Sequence, residues 1–347
     1  GPMGNELYND WYSGTYPYKV TILDGLKNKL PNAQISFADG SDIIRIKSAE
    51  NMKYIEPDEE GILHASGTEP SEKSLFSLMD WGWGSFTLTN ISSGKYVTCE
   101  NNISASADNA FGWFVKELLN FIPVGDKEYL IKTYNGNTAG ISGNGSDAII
   151  EKDPFSKGAN DRFIIEVVEE GIAKAKNIAE EADIVLVTIG NNPVINGKEE
   201  MDRPDIVLAP YQQKLLEEVY SVNKNIVLTL ISSYPVAINW ANDNIPAIVH
   251  SAHGGQEMGN AIADVIFGDY NPAGRLPMTW YKSVDQLASI MDYDILKSKR
   301  TYMYFDQQPL YPFGFGLSYS SFKYDNLKLN CNILRKESSL KVSVNIT

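Results

Sequence analysis

Three stretches of this chain can be laid over one another. IIRIKSAENMKYI (43–55), SFTLTNISSGKYV (85–97) and YLIKTYNGNTAGI (129–141) align on Ile46, Leu88 and Ile131, which stand 42 and 43 residues apart. Each alternates apolar and polar residues, passes a polar turn and starts a second short strand. The likeness continues along each unit. HAS at 64–66 answers SAS at 104–106 and AII at 148–150, and each unit closes on an aromatic strand: LFSLM (75–79), WFVKEL (113–118) and RFIIEVV (162–168). A self-similar period constrains a fold more than any local pattern, because identical units must bury one another's apolar faces. Residues 43–168 are therefore expected to form an all-β unit of three four-strand repeats. Trp81, Trp83 and Trp113 are read as core filling of these repeats in preference to a platform for stacking sugar rings.

Three copies of such a unit resemble a β-trefoil of the fascin-like kind, with an irregular β-sandwich as the alternative. On either side the period changes to that of α/β structure. Residues 1–42 hold a Trp-Tyr-Ser-Gly turn at 11–14, a helix with Leu23, Leu26 and Leu30 on one face, and a buried strand around Ile35 and Phe37. After Glu169, GIAKAKNIAEEA reads as an amphipathic helix with Ile172, Ala175, Ile178 and Ala179 inward, leading into an uncharged apolar run from Ile184 to Ile189. PYQQKLLEEVYSV, NIVLTLI, IPAIVHSA and GQEMGNAIADVIFG continue as helix, strand, strand and helix. Such alternation predicts a mostly parallel α/β sandwich, residues 1–42 and 169–323, into which the all-β unit is inserted. Residues 268–322 read as a long aromatic wrapping loop. Alternation in YDNLKLN and SLKVSVNIT marks two strands of a further β-domain that begins at residue 324.

Composition excludes some functions. A formal charge of −14 repels phosphate backbones, which argues against a nucleic-acid partner. No 18-residue apolar span points to a membrane. Three scattered histidines and two remote cysteines, Cys99 and Cys331, have no metal-ligand spacing, and the cysteines are expected as free thiols. Gly254 and Gly255 lack the rest of a phosphate-loop or dinucleotide motif, so no cofactor is expected. The sequence leaves association between copies of the chain open.

NGKEEMDRPDIVLAPYQQKLL (196–216), SAHGGQEMGNAIADVIFGDYNPAGRLPMTWY (251–281) and the aromatic run TYMYF to SYSSF (301–322) together resemble the second domain of the family 3 glycoside hydrolases, β-xylosidases and β-glucosidases acting on non-reducing ends. The opening GPMGNELYNDWYSG resembles the segment just after that domain's first strand. The resemblance implies an α/β sandwich domain, an oligosaccharide substrate, and a TIM-like barrel bearing a nucleophilic Asp that has no counterpart in these residues. It also implies that the chain is a fragment of a longer enzyme, inactive alone, whose residues 324–347 begin a fibronectin type III-like domain.

Retaining hydrolysis needs two carboxyl groups on opposite sides of the scissile bond, about 5–5.5 Å apart. The resemblance places the nucleophile on the absent barrel. The family's E-x-x-D-R pattern matches Glu199, Asp202 and Arg203 in the loop after the 184–189 run, the end of a parallel strand where ligands collect. Glu199 is the candidate general acid/base and Glu200 the runner-up; the other reading of Glu199 is a solvated loop carboxylate. Gly197 stands where many relatives carry a further Glu. Acid catalysis asks the carboxyl to hold a proton near neutral pH, through burial against substrate and the adjacent Glu200 charge. Asp202 and Arg203 either contact substrate or brace the loop. His253 either bonds a sugar hydroxyl or is satisfied structurally, and His250 is read as core. The details favour the β-xylosidase-like branch, while a carbohydrate-binding or scaffolding protein without catalysis is the alternative function.

Overall fold

The computed structural model describes residues 1–100, 102–142, 148–153 and 159–347. Helix α1 (Ile22–Lys29) is held at its start by a reciprocal pair: Thr21 Oγ1 accepts from the Asp24 amide and Asp24 Oδ2 accepts from the Thr21 amide, both at 3.1 Å. The three repeats then give β1 (Asp42–Ser48), β2 (Tyr54–Pro57), β3 (Leu63–Gly67) and β4 (Leu75–Asp80); β5 (Phe86–Asn90), β6 (Tyr96–Cys99), β7 (Ile103–Ala107) and β8 (Leu119–Pro123); and β9 (Glu128–Thr133), β10 (Thr138–Ile141), β11 (Ile149–Lys152) and β12 (Arg162–Glu169).

The first and fourth strand of each repeat close a six-stranded antiparallel ring, in the order β1, β4, β5, β8, β9, β12 and back to β1. The middle strands of each repeat form hairpins off the ring, and single bridges tie the hairpins to one another: Ile62 to Ser104, His64 to Ala148, and Asn102 to Ile150. Closure leaves the ring no free edge. Ile46, Leu88 and Ile131, the residues on which the repeats align, are all buried in one core with Phe76 and Phe163. Those phenylalanines fill the centre, not the tryptophans. WFVKEL is not a strand: it lies in the loop between β7 and β8, and the strand of that repeat starts at Leu119.

The rest comprises α2 (Gly171–Glu180), β13 (Val185–Gly190), α3 (Pro210–Val222), β14 (Ile226–Ile231), α4 (Asn239–Asn244), β15 (Ala247–Ser251), α5 (Met258–Phe267), the short α6 (Thr301–Tyr304), and an exposed antiparallel pair, β16 (Tyr324–Leu329) with β17 (Val342–Ile346). Strands β13, β14 and β15 run parallel. Helices α2 and α3 cover one face, where Ile172, Ala175, Leu215, Leu216 and Val219 pack on Ile189, Leu228 and Leu230. On the other face Ile22 of α1 and Met258 and Ile262 of α5 share a core with Ile231.

The expectation of a mostly parallel α/β sandwich is therefore corrected. The described structure is mostly β, with twelve strands in the antiparallel sheet against three in the parallel one. The run around Ile35 and Phe37 adds no parallel strand. Residues 34–41 pair with no ladder, the Gly1 amino group donates to the Ala38 carbonyl at 2.9 Å, and the Phe37 ring lies over Gly4. Motif-bearing segments gave α/β structure more weight than its share of the strands.

The antiparallel and parallel parts meet at Trp81, in the turn between β4 and β5. Its side chain is 2% exposed and sits in the same core as Ile22, Ile231 and Met258. The indole N–H donates to Thr87 Oγ1 at 3.0 Å, and the ring meets Tyr8 edge-on with centroids 5.4 Å apart. Trp81→Ala is expected to lower the unfolding free energy by about 3–5 kcal/mol, with Trp81→Phe costing less. Urea denaturation of the two variants measures this, and equal midpoints for wild type and Trp81→Ala would contradict it.

Candidate functional site

The carboxyl ends of β13, β14 and β15 point the same way, so the loops after them gather at one edge of the sheet. Strand β13 stops at Gly190, where φ is +154° and an added Cβ would stand 1.8 Å from the Ile231 carbonyl oxygen; only glycine lets the chain turn away so close to its neighbour. The next residues stay inside. Asn192 and Asn196 are buried and frame the loop: the Asn196 side-chain oxygen accepts from the Asn192 amide at 2.7 Å, that of Asn192 accepts from the Val194 amide at 3.0 Å, and Asn196 Nδ2 donates to the Trp81 carbonyl at 2.9 Å.

The chain surfaces at Lys198. The Met201 amide returns to the Lys198 carbonyl at 3.2 Å, a tight turn with Glu199 and Glu200 at its corners, and Glu200 holds a left-handed φ of +65°. Both glutamates are exposed, so the burial expected for an acid catalyst is not supplied by this chain's described residues. Beside the turn lies a cleft of about 430 Å³, lined by Asp10, Trp11 and Tyr12 of the opening loop, by Lys198, Glu199, Glu200 and Asp202, and by Ser233 and Tyr234 after β14. Glu199 is distinguished from Glu200 by one bond: the Tyr12 hydroxyl donates to Glu199 Oε2 at 2.5 Å.

Asp202 and Arg203 separate. The Asp202 side chain is 87% exposed, whereas that of Arg203 is 10% exposed, lies over the Tyr234 ring at 4.8 Å and donates to the Pro235 carbonyl at 3.0 Å. Arg203 thus braces the loop. Gly197, at φ +120°, would bring an added Cβ within 3.1 Å of both the Arg203 and Tyr234 side chains, which gives a packing reason for glycine there.

His253 is satisfied on both sides. Its Nε2 lies 2.8 Å from the Asn191 carbonyl, which can only accept, so the ring proton sits there and Nδ1 accepts from the Ser233 hydroxyl at 2.8 Å. The ring ties the loops after β13 and β14 together. His250 is half-buried, edge-on to Trp280 with centroids 4.9 Å apart, and its Nε2 donates to the Ser232 carbonyl.

The sequence reading missed the wall made by Asp10, Trp11 and Tyr12, and Ser233 and Tyr234. The second pair was findable, since SSYP follows a parallel strand's carboxyl end as the NGKEE loop does. Trp113, read as core, is 43% exposed; its ring lies 5.1 Å from that of Trp11, and its carbonyl accepts the Lys198 ammonium at 3.0 Å. Both cysteines are free, and burial pushes the Cys99 thiol up.

With this geometry in hand, comparison with known proteins fixes the family. The family model "Glycosyl hydrolase family 3 C-terminal domain" matches residues 1–319, and the chain belongs to that family. A β-xylosidase of Formosa agariphila is 37% identical over 197 residues, covering 56% of this chain and 27% of that protein. A periplasmic β-glucosidase of Salmonella typhimurium is 34% identical over 188 residues, 51% of this chain and 24% of that protein. The chain thus spans about a quarter of the length of these relatives. Among solved structures, a β-glucosidase from Erythrobacter marinus superposes over 99% of this chain and 34% of its own with a TM-score of 0.54 at 21% identity. A Kluyveromyces marxianus β-glucosidase crystallised with glucose covers 94% of this chain and 45% of its own, with a TM-score of 0.51 at 20% identity. These two likenesses speak for the fold.

Burial holds the His250 and His253 imidazoles below their ordinary value of 6.5. The unfolded chain therefore binds protons that the folded one refuses, and stability falls as the pH is lowered through 6.5 towards the folded-state values. Calorimetry in two buffers of different ionisation heat should detect proton uptake on unfolding at pH 5.5, smaller by up to about one proton in His253→Gln and likewise in His250→Gln. Uptake unchanged in both variants would contradict the assignment.

Proposed function

We propose that this chain supplies the general acid/base of an exo-acting, retaining β-glycosidase, with Glu199 in that role. The observation that carries the reading is the Tyr12 to Glu199 hydrogen bond at the mouth of the cleft, which fixes one carboxylate oxygen and leaves Oε1 free. In the first step Glu199 gives a proton from Oε1 to the leaving glycosidic oxygen while a carboxylate from outside this chain attacks the anomeric carbon. In the second, Glu199 takes a proton from water, which attacks the same carbon and releases the sugar. The nucleophile belongs to a barrel on the same longer polypeptide, as the quarter-length match to the relatives supports. That barrel would also cover Glu199 and supply the burial this chain lacks. Asp202, exposed at the same cleft, is read as a substrate contact; Arg203 and His253 hold loops in place.

Xylose is the proposed sugar, supported by the likeness to the Formosa agariphila β-xylosidase. The same proposal takes residues 43–168 as a β-trefoil-like insertion, supported by the six-stranded ring with three linked hairpins, and β16 and β17 as the start of a fibronectin type III-like domain.

Two outcomes test the reading. The chain alone should not hydrolyse p-nitrophenyl xyloside or glucoside, since one carboxylate cannot run a retaining mechanism; turnover near that of a complete enzyme would refute the external nucleophile. In the complete enzyme, Glu199→Ala should slow disaccharide hydrolysis by roughly 100-fold or more and activated aryl glycosides far less, with azide restoring turnover as the β-glycosyl azide. Should Glu200→Ala show that pattern instead, the roles are exchanged by one residue.

A further inference from the structure

The Tyr12 to Glu199 bond joins two loops far apart in sequence, and a single residue of the antiparallel barrel touches the chain neighbour of each partner. The Trp113 ring lies 5.1 Å from the ring of Trp11, next to Tyr12, with 55° between the planes. The Trp113 carbonyl accepts the ammonium of Lys198, next to Glu199, at 3.0 Å. We propose that Trp113 is a positioning residue for the general acid/base: the barrel's β7–β8 loop clamps the opening loop and the acid/base turn so that the Tyr12 hydroxyl meets Glu199. This rests on the role assigned to Glu199 above.

Several observations support a clamp over chance proximity. Tyr12 and Glu199 are both exposed, with Tyr12 at 74%, so packing on the pair itself does not hold them 2.5 Å apart. The side chains one residue upstream are held instead, while the Tyr12 amide itself donates to Asp10 Oδ1 at 2.9 Å. Trp11 is half-buried between Tyr12, at a centroid distance of 6.1 Å, and Trp113. Lys198 is half-buried too, and burial lowers its ammonium's pKa, so the carbonyl it reaches compensates a real loss of hydration. The loop carrying Trp113 is built to project. It replaces the strand that the repeat pattern calls for, and β8 begins only at Leu119. Its base is anchored by Val115, 1% exposed in the core shared with Trp81, Val194 and Ile195, while Trp113 itself remains 43% exposed at the cleft side. The groups around Glu199 are Tyr12 and Asp10 from the opening loop, Lys198, Glu200 and Asp202 from its own turn, and Tyr234 after β14. Only Lys198 among them is cationic, and Trp113 holds it.

The test reads positioning apart from folding and from the role of Glu199. In the complete enzyme, Trp113→Ala should lower kcat on disaccharides at least tenfold, and on activated aryl glycosides less than twofold, while Trp113→Phe, which keeps a ring against Trp11, restores the disaccharide rate. Equal losses on both substrates, or none, would overturn the proposal. A parallel Glu199→Ala enzyme reports on the underlying reading: if it has no leaving-group dependence, that reading fails by itself. The clamp is then still decided on this chain by NMR. Glu199→Gln should shift the Tyr12 ring resonances in the wild-type background and shift them clearly less in the Trp113→Ala background, which keeps the carbonyl that Lys198 reaches but loses the ring against Trp11. A shift of the same size in both backgrounds would show that Trp113 does not hold the pair.

Discussion

The architecture depends on burying one indole between two kinds of sheet. Trp81 sits in a turn of the antiparallel barrel, yet its ring is part of the core beneath the parallel strands. Burying such a side chain contributes several kcal/mol, and because Thr87 satisfies its N–H no unpaired polar group is buried with it. Its carbonyl adds a second link by accepting Asn196, which frames the loop leading to Glu199. The turn from Lys198 to Met201 is therefore braced from the barrel as well as from the strand it follows.

This arrangement gives the site its division of labour. The loop after β13 is buried as far as Gly197, half-buried at Lys198 and then exposed over the residues that face the cleft. Charged residues split in the same way. Arg203 and His253 are engaged by two carbonyls, a ring and a hydroxyl, while Glu199, Glu200 and Asp202 are exposed along the cleft. The carboxylates thus stand on a turn whose base is buried and hydrogen-bonded.

The sequence was legible where one pattern had one physical cause. Three repeats with a common period had to share a core, and Ile46, Leu88 and Ile131 do. The helix faces of α2 and α3 followed from spacing alone, and Leu215, Leu216 and Val219 are inside. The fold class is less legible, because residues that carry motifs are not those that carry most strands, and because Ile35 and Phe37 alternate without a partner edge. Trp113 departs from its expected place for a related reason: the repeat register predicts a strand there, but the second unit puts its strand six residues later and uses the difference as a loop. Contacts such as Tyr12 to Glu199, 187 residues apart, leave no local trace in composition or period.

The chain enters the barrel at Asp42 and leaves it at Glu169, and the two strands concerned are neighbours, with Ile43 opposite Glu169. A body hung from two adjacent strands has, by that tether alone, one axis about which it can swing. Trp81 gives it a second point of attachment and Trp113 a third. Each added point opposes rotation about that axis, so the barrel is joined to the parallel sheet at more than its tether.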